Sequence, residues 1–294
     1  MRSSLDCMPC FIRQALETVR LVTDDPGLQE RILREVLKLS SGMDLMQPPP
    51  ATAQKIHQII RELSEVADPY QDIKSRYNLL AMEWLPELRR TIQNAEDPFC
   101  AAVKLSIAGN IIDFGVNGSL ALETVKQTID AAIHQSLDRE SLDYLRDSVQ
   151  SAQSVLYLAD NAGEIAFDRL LIECIGPEKV ILAVKASPIL NDALLPDAQE
   201  VGLTELVQVI DNGSNAPGTI LEQCSESFRK YFETADLIIS KGQGNYESLS
   251  DTQANIVFLF QAKCSVVANH VNKALGRFVV CRSDVYQCAA EQKK

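Results

Sequence analysis

The chain has 294 residues, 46% hydrophobic and 23% charged, which supplies a buried core and excludes a disordered protein. Its 28 Lys and Arg stand against 40 Asp and Glu, a formal charge of −12. That balance excludes a broad basic face for nucleic acid but leaves room for a local basic pocket for a small anion. No stretch approaches the roughly 20 apolar residues of a membrane span. Residues 1–14 hold neither the apolar region nor the small-residue cleavage site of a signal peptide. The eight cysteines are therefore expected as mostly free thiols in a reducing cytoplasm.

Up to about residue 150 the pattern is helix after helix. Phe11, Ile12, Ala15, Leu16 and Val19 recur at helical spacing, as do Ile32, Leu33, Val36 and Leu37. Gly42 and Pro48-Pro49-Pro50 then break the chain. Ile56, Ile59, Ile60 and Leu63 form a third stripe. A longer pattern over 70–94 carries Ile73, Tyr77, Leu80, Trp84 and Leu88, with Pro86 placed to kink or split it. Further helices are predicted near 97–109, 119–134 and 139–151. From Ser154 short apolar runs alternate with helical patterns: Val155–Leu158, Val180–Val184, Val207–Ile210, Leu237–Ile239 and Ile256–Phe260. Phe278–Val280 reads as a last edge strand. Such alternation predicts βαβ units and a mostly parallel sheet. The fold class is therefore α/β, with a helical domain over 1–152 packed on a sheet domain over 153–294.

Polar residues follow each predicted strand. The first ends in Asp160-Asn161-Ala162-Gly163-Glu164, the second in Lys185 with Asn191-Asp192 in its loop, and the third in Asp211-Asn212-Gly213. The fourth ends in Lys241-Gly242-Gln243-Gly244-Asn245-Tyr246, and Lys263 follows the fifth. Open parallel sheets bind ligands outside the carboxyl ends of their strands. Asp160, Asn161 and Asp192 are hard oxygen donors, which suit Mg²⁺ or Mn²⁺. Lysines and a glycine turn suit phosphate oxygens, so the mixture has the parts that phosphoryl chemistry needs. Taken singly, each segment is also an ordinary turn.

In order along the chain, several segments resemble the damage-control phosphatases, a family of metal-dependent phosphatases. They are Asp68-Pro69-Tyr70 with Lys74 and Asn78, Gly109-Asn110 with Asp113 and Gly115, Asp160 through Glu164, and Lys185 through Asp192. Asp211-Asn212-Gly213, Ala235 through Glu247 and Lys263-Cys264 complete the set, and Cys7-x-x-Cys10 resembles the stand-alone prokaryotic branch. The resemblance implies a helical N-terminal part and a Rossmann-like three-layer α/β/α part. It implies a metal on Asp160, Asn161 and Asp192, and a sugar phosphate or related phosphometabolite on the segment Gln243, Gly244, Asn245, Tyr246 and on Lys263. One eukaryotic branch carries an Arg-Thr-x-Lys string where Gln261-Ala262-Lys263 stands here, so only the lysine carries over.

The expected function is a divalent-metal-dependent phosphatase acting on a small phosphorylated metabolite, with Mg²⁺ or Mn²⁺ first and Co²⁺ or Ni²⁺ as further candidates. Asp160, Asn161 and Asp192 would hold the metal. Lys263, helped by Lys241, would neutralise the transferring group. Asp211 or Glu164 would orient water, and Asn110, Asp113 and Lys185 would complete the substrate site. Whether water attacks directly or an Asp is phosphorylated first stays open. The rival reading is a non-catalytic sugar-phosphate sensor. A methyltransferase would want a more Gly-rich turn than Asp160–Gly163. Cys7 and Arg13 satisfy C-x₅-R, but Pro9 and the lack of a preceding strand argue against a cysteine phosphatase. Cys7 and Cys10 lack a second CxxC for zinc, and a redox pair and plain thiols both stay open. The three histidines are scattered, and no Walker A or G-x-G-x-x-G string occurs.

Overall fold

The computed structural model describes residues 1–110 and 122–283. Three helices come first: α1 (Cys7–Val22), α2 (Pro26–Ser41) and α3 (Pro49–Ser64). Pro26 and Pro49 start their helices where no internal N–H partner exists, and the Asp25 side chain accepts from Gly27 N at 2.9 Å. The stripes Phe11, Ala15, Val19, Ile32, Val36, Ile56 and Ile60 close on one another as a separate small core.

The next helices are α4 (Gln71–Gln93), α5 (Pro98–Ala108), α6 (Leu122–His134) and α7 (Arg139–Ser151). Pro86 lies inside α4 without splitting it. A mid-helix proline costs about 3 kcal/mol. Leu85, Leu88 and Ile92 are buried beside it, and each such side chain contributes about 1.5–3 kcal/mol. Packing therefore overrides the local breaker.

The second half alternates as expected: β1 (Val155–Leu158), α8 (Glu164–Ile175), β2 (Val180–Val184), α9 (Leu195–Glu200), β3 (Gln208–Asp211), α10 (Glu226–Thr234) and β4 (Leu237–Lys241). Then come α11 (Gln243–Leu249), β5 (Ile256–Gln261), α12 (Ser265–His270) and β6 (Phe278–Arg282). The sheet order is β3-β2-β1-β4-β5-β6, and only β6 runs antiparallel. One face is covered by a core that joins Leu88, Leu105 and Leu145 to Phe167, Tyr157 and Ile239. The other carries Phe228, Tyr246, Phe258 and Phe260. The result is a three-layer α/β/α fold.

The boundary expected at 152–153 falls inside the first of these cores, because α4, α5 and α7 bury their apolar faces against the sheet layers. Among the described helices that precede β1, only α1–α3 keep a core of their own, and they form a small cap. They dock through α3 on α11, with Gln54 Nε2 donating to Asn215 Oδ1 at 2.8 Å. Among the described residues, no helix is long and apolar enough to cross a membrane.

Candidate active site

The chain runs outward from β1 in one direction through β2 and β3, then returns to β4 on the other side. This reversal makes the carboxyl ends of β1 and β4 the topological switch point, where such sheets bind ligands. A cleft of about 440 Å³ opens there, floored by the sheet-edge loops and walled by α1 and the start of α3. Asp160, Asn161, Asp192, Gln243, Gly244 and Lys263 all line it.

The loops after β1 and β2 are laced together. Ala162 N donates to Asn191 O at 2.9 Å, Ala193 N donates to Asp160 O at 2.8 Å, and Asn161 and Asp192 form a bridge pair. This lacing sets the three expected metal ligands side by side. Asp160 Oδ2 accepts from Asn110 Nδ2 at 2.5 Å and from Asn161 Nδ2 at 2.8 Å. No hydrogen bond from the described residues reaches Asp160 Oδ1 or Asn161 Oδ1, and Asp192 Oδ2 is buried without one. Lys185 Nζ stands 3.6 Å from that last oxygen and donates to Gly218 O.

These open oxygens fit a hard divalent cation. The donors are two carboxylates and one amide, the chemistry that Mg²⁺ or Mn²⁺ accepts with water filling the remaining positions. Among the described residues, no three His, Cys, Asp or Glu side chains group as a ready metal cage, so a cation here would need the Asn161 amide as a third donor. Burial, with the Glu164 charge beside it, raises the Asp160 carboxyl to about 6. Burial raises Asp192 to about 8 against the pull of Lys185. A bound cation would reverse both shifts.

Gly242 shows how tightly β4 closes on this floor. Its φ is 81°, and a Cβ there would lie 2.0 Å from Asp160 Oδ2. Only glycine lets the two strand ends approach this closely.

Lys263 reaches the site through a chain rather than across the cleft. Its Nζ donates to Asn110 Oδ1 and, at 3.1 Å, to Asn110 O, while Asn110 in turn donates to Asp160. Gln243 Oε1 accepts from Lys263 N at 2.9 Å and holds the backbone there.

Several expected site residues lie elsewhere. Lys241 is fully buried and faces away from the cleft: its Nζ bonds Glu164 Oε1 at 2.7 Å, Asp168 Oδ1 at 2.5 Å and Ser106 O at 2.9 Å. Burial alone would lower its pKa, and the two carboxylates more than offset that and raise it. Glu164 is also buried, and its Oε2 accepts from Asn161 Nδ2 at 3.0 Å, so it braces an expected metal ligand from beneath. Asp211 is exposed at the end of the edge strand β3, where its Oδ1 accepts from Gly213 N in a turn. Asn245 is buried and satisfied by Thr219, Ala159 and Lys241. Tyr246 packs in the second core with its hydroxyl 2.6 Å from His270 Nδ1. Lys185 is buried beside Asp192. Asp113 lies outside the described residues.

The motif residues of α4 are structural as well. Asn78 Oδ1 accepts from Gly163 N at 2.6 Å, and its Nδ2 donates to Asp197 Oδ1 at 2.9 Å. Lys74 pairs with Asp68 at 2.7 Å, and Asp68 caps Tyr70 N ahead of α4 rather than its first helical turn. Conversely, Glu247, Arg13, Cys7, Cys10 and Cys264 line the cleft, and the sequence reading had given them no part in the site. Glu247 sits four residues after Gln243, whose Nε2 donates to it at 2.8 Å, and burial raises its carboxyl to about 7. That i, i+4 relation was the available signal.

A profile of the damage-control phosphatase ARMT1-like domain matches residues 3–279. A damage-control phosphatase of Archaeoglobus fulgidus is 34% identical over 285 residues, covering 95% of this chain and 98% of its own. One of Pyrococcus horikoshii is 32% identical, with 96% and 99% covered. An uncharacterised protein of Methanocaldococcus jannaschii is 35% identical over 94% of both chains. The crystal structure of a DUF89 family protein from Pyrococcus horikoshii matches with a TM-score of 0.86 at 31% identity, covering 96% of this chain and 99% of that one.

Proposed function

This chain belongs to the damage-control phosphatase ARMT1-like family, and from that premise we propose a divalent-metal-dependent phosphatase acting on a small phosphorylated metabolite of the sugar phosphate class. The observation that carries the metal is the set of open oxygens on Asp160, Asn161 and Asp192, side by side at the switch point. The cleft volume is in the range of small-molecule sites. All seven described cysteines are free, in keeping with work in a reducing cytoplasm.

In this reading Asp160, Asn161 and Asp192 hold the ion. When bound, it supplies positive charge to a phosphate oxygen and acidifies a bound water. Lys263 spends part of its donor capacity on Asn110 and turns the rest to the phosphoryl oxygens. Glu247 holds a proton near neutral pH at the cleft wall and is the candidate to protonate the leaving oxygen. The buried cluster of Lys241, Glu164 and Asp168 keeps Asn161 aimed at the cleft.

The test is phosphate release over a panel of phosphometabolites with Mg²⁺, Mn²⁺, Co²⁺ or Ni²⁺ and with excess chelator. Chelation is expected to abolish turnover and one of the ions to restore it. Asp192→Ala is expected to stay folded and lose at least about a hundredfold, which is ~2.7 kcal/mol. Full turnover in chelator, with no metal on the protein, would overturn the metal reading. Tight binding with no turnover of any substrate would favour a sensor.

A further inference from the structure

Each lysine of the cleft floor is already held by a hydrogen bond or ion pair. Lys241 is committed to two carboxylates, Lys185 to Asp192 and Gly218, and Lys263 to Asn110. The wall formed by α1 is different. Cys7, Cys10, Phe11 and Gln14 recur at i, i+3, i+4 and i+7, so one helical face lines the cleft over two turns. Arg13 lines it with them. It is exposed, and among the described residues no carboxylate lies within ion-pair distance of it. Phe11, Pro49, Pro50 and Ala53, which line the same side of the cleft, carry no acceptor side chain.

An unpaired guanidinium in a cleft of an acidic protein has a physical consequence. Asp6 also lines the cleft and would repel a second negative group on a ligand, unless a cation offsets it. Guanidinium is the side chain best matched to a carboxylate or phosphate, because its fork donates two parallel hydrogen bonds. Arg13 has no bond to the floor, whereas Lys263 is chained to Asp160 through Asn110. Arg13 thus stands outside the hydrogen-bonded chain that ends on Asp160.

We infer that Arg13 reads a second anionic group, a carboxylate or a second phosphate, at the end of the substrate away from the phosphate that is cleaved. The inference rests on the phosphatase reading above and narrows its substrate class to doubly anionic phosphometabolites.

The test uses matched substrates of equal carbon number: a sugar monophosphate, the corresponding bisphosphate and a phosphorylated sugar acid. The wild-type protein, Arg13→Met and Arg13→Lys are compared by kinetics and by calorimetric binding. Wild type is expected to favour one of the double anions. Arg13→Met should raise its KM at least tenfold with kcat within twofold, and should leave the monophosphate within twofold. Arg13→Lys should recover part of the loss. The bisphosphate and sugar-acid arms decide which anion is read. An equal loss on all three substrates would place Arg13 on the cleaved phosphate and overturn the inference, as would no loss at all. If nothing is hydrolysed but Arg13→Met selectively weakens binding of a double anion, the phosphatase reading falls, and only the recognition of a second anion by Arg13 stands.

Discussion

The floor of the cleft and its α1 wall hold their side chains by different means. On the floor Asn161 is held by Glu164 and Asp160, Asp160 by Asn110 and Asn161, and the two loops by crossed backbone hydrogen bonds. The wall is one face of a helix whose fold depends on the small apolar core behind it. Its cleft-lining Arg13 forms no ion pair among the described residues. Chemistry demands fixed geometry, because misplaced groups lose much of their rate advantage. Recognition of a substrate's far end tolerates adjustment, so the wall is where related chains can diverge without disturbing the reaction.

Breaking the floor from beneath should have the largest effect. Lys241→Met leaves Glu164 and Asp168 buried without their cation, and removing one partner of a buried pair costs about 3–5 kcal/mol. Denaturant unfolding should register that loss. Turnover should fall with it, since Glu164 supports Asn161. Wild-type stability in this variant would show that the cluster is dispensable.

Acid should separate the two regions next. His57 in α3 is buried with Nε2 unpartnered, and burial followed by the Arg61 charge lowers it to about 4. An unfolded histidine takes its proton near 6.5. The cap's share of stability is therefore complete above pH 6.5 and is lost as pH falls toward 4, by up to about 3 kcal/mol. The floor responds with the opposite sign. Asp160, Asp168 and Asp192 are raised to about 6, 7 and 8 by burial, so they favour the folded state below the usual carboxylate range and lose that contribution as pH rises. In chelated protein, His57→Leu should flatten the acid limb between pH 6.5 and 4. Parallel limbs in variant and wild type would refute the cap's role.

Lys263→Met should be milder, about tenfold in kcat/KM or ~1.4 kcal/mol, with metal affinity kept. It loses one positive charge but leaves the three ligands in place. Kinetics indistinguishable from wild type would make Lys263 a brace for Asn110 alone. The smallest effect belongs to the wall: Cys7→Ser with Cys10→Ser should keep phosphate release within twofold. Cys7 Sγ makes only long bonds to Ser4, with its N at 3.4 Å and its Oγ at 3.7 Å, and neither thiol takes part in the proposed chemistry. Loss of activity in a folded double variant would revive a thiol-based reaction.

The strands were legible because short apolar runs between helical patterns have few other solutions, and Asp160, Asn161 and Asp192 followed from standing at their ends. Lys241 was misplaced although the information was present. Side chains alternate along a strand, and Leu237, Ile239 and Lys241 share the face that meets α8. Tyr246 likewise sits on the face of α11 turned to the second core. Asp211 could not be judged without strand order, since β3 became the edge strand farthest from the switch point on its side. The α1 wall was invisible for a similar reason: nothing local in residues 7–14 says that this helix comes to lie over loops some 150 residues later.

The bond from Gly163 N to Asn78 spans 85 residues and joins a helix to the turn that carries Asp160 and Asn161. Asn78 precedes Gly163 in the chain, and its amide is buried only once the turn after β1 has come to it. Cutting the gene at the change of texture near residue 152 would part donor from acceptor and leave two incomplete pieces. An insertion there would separate the turn from the helix that holds it.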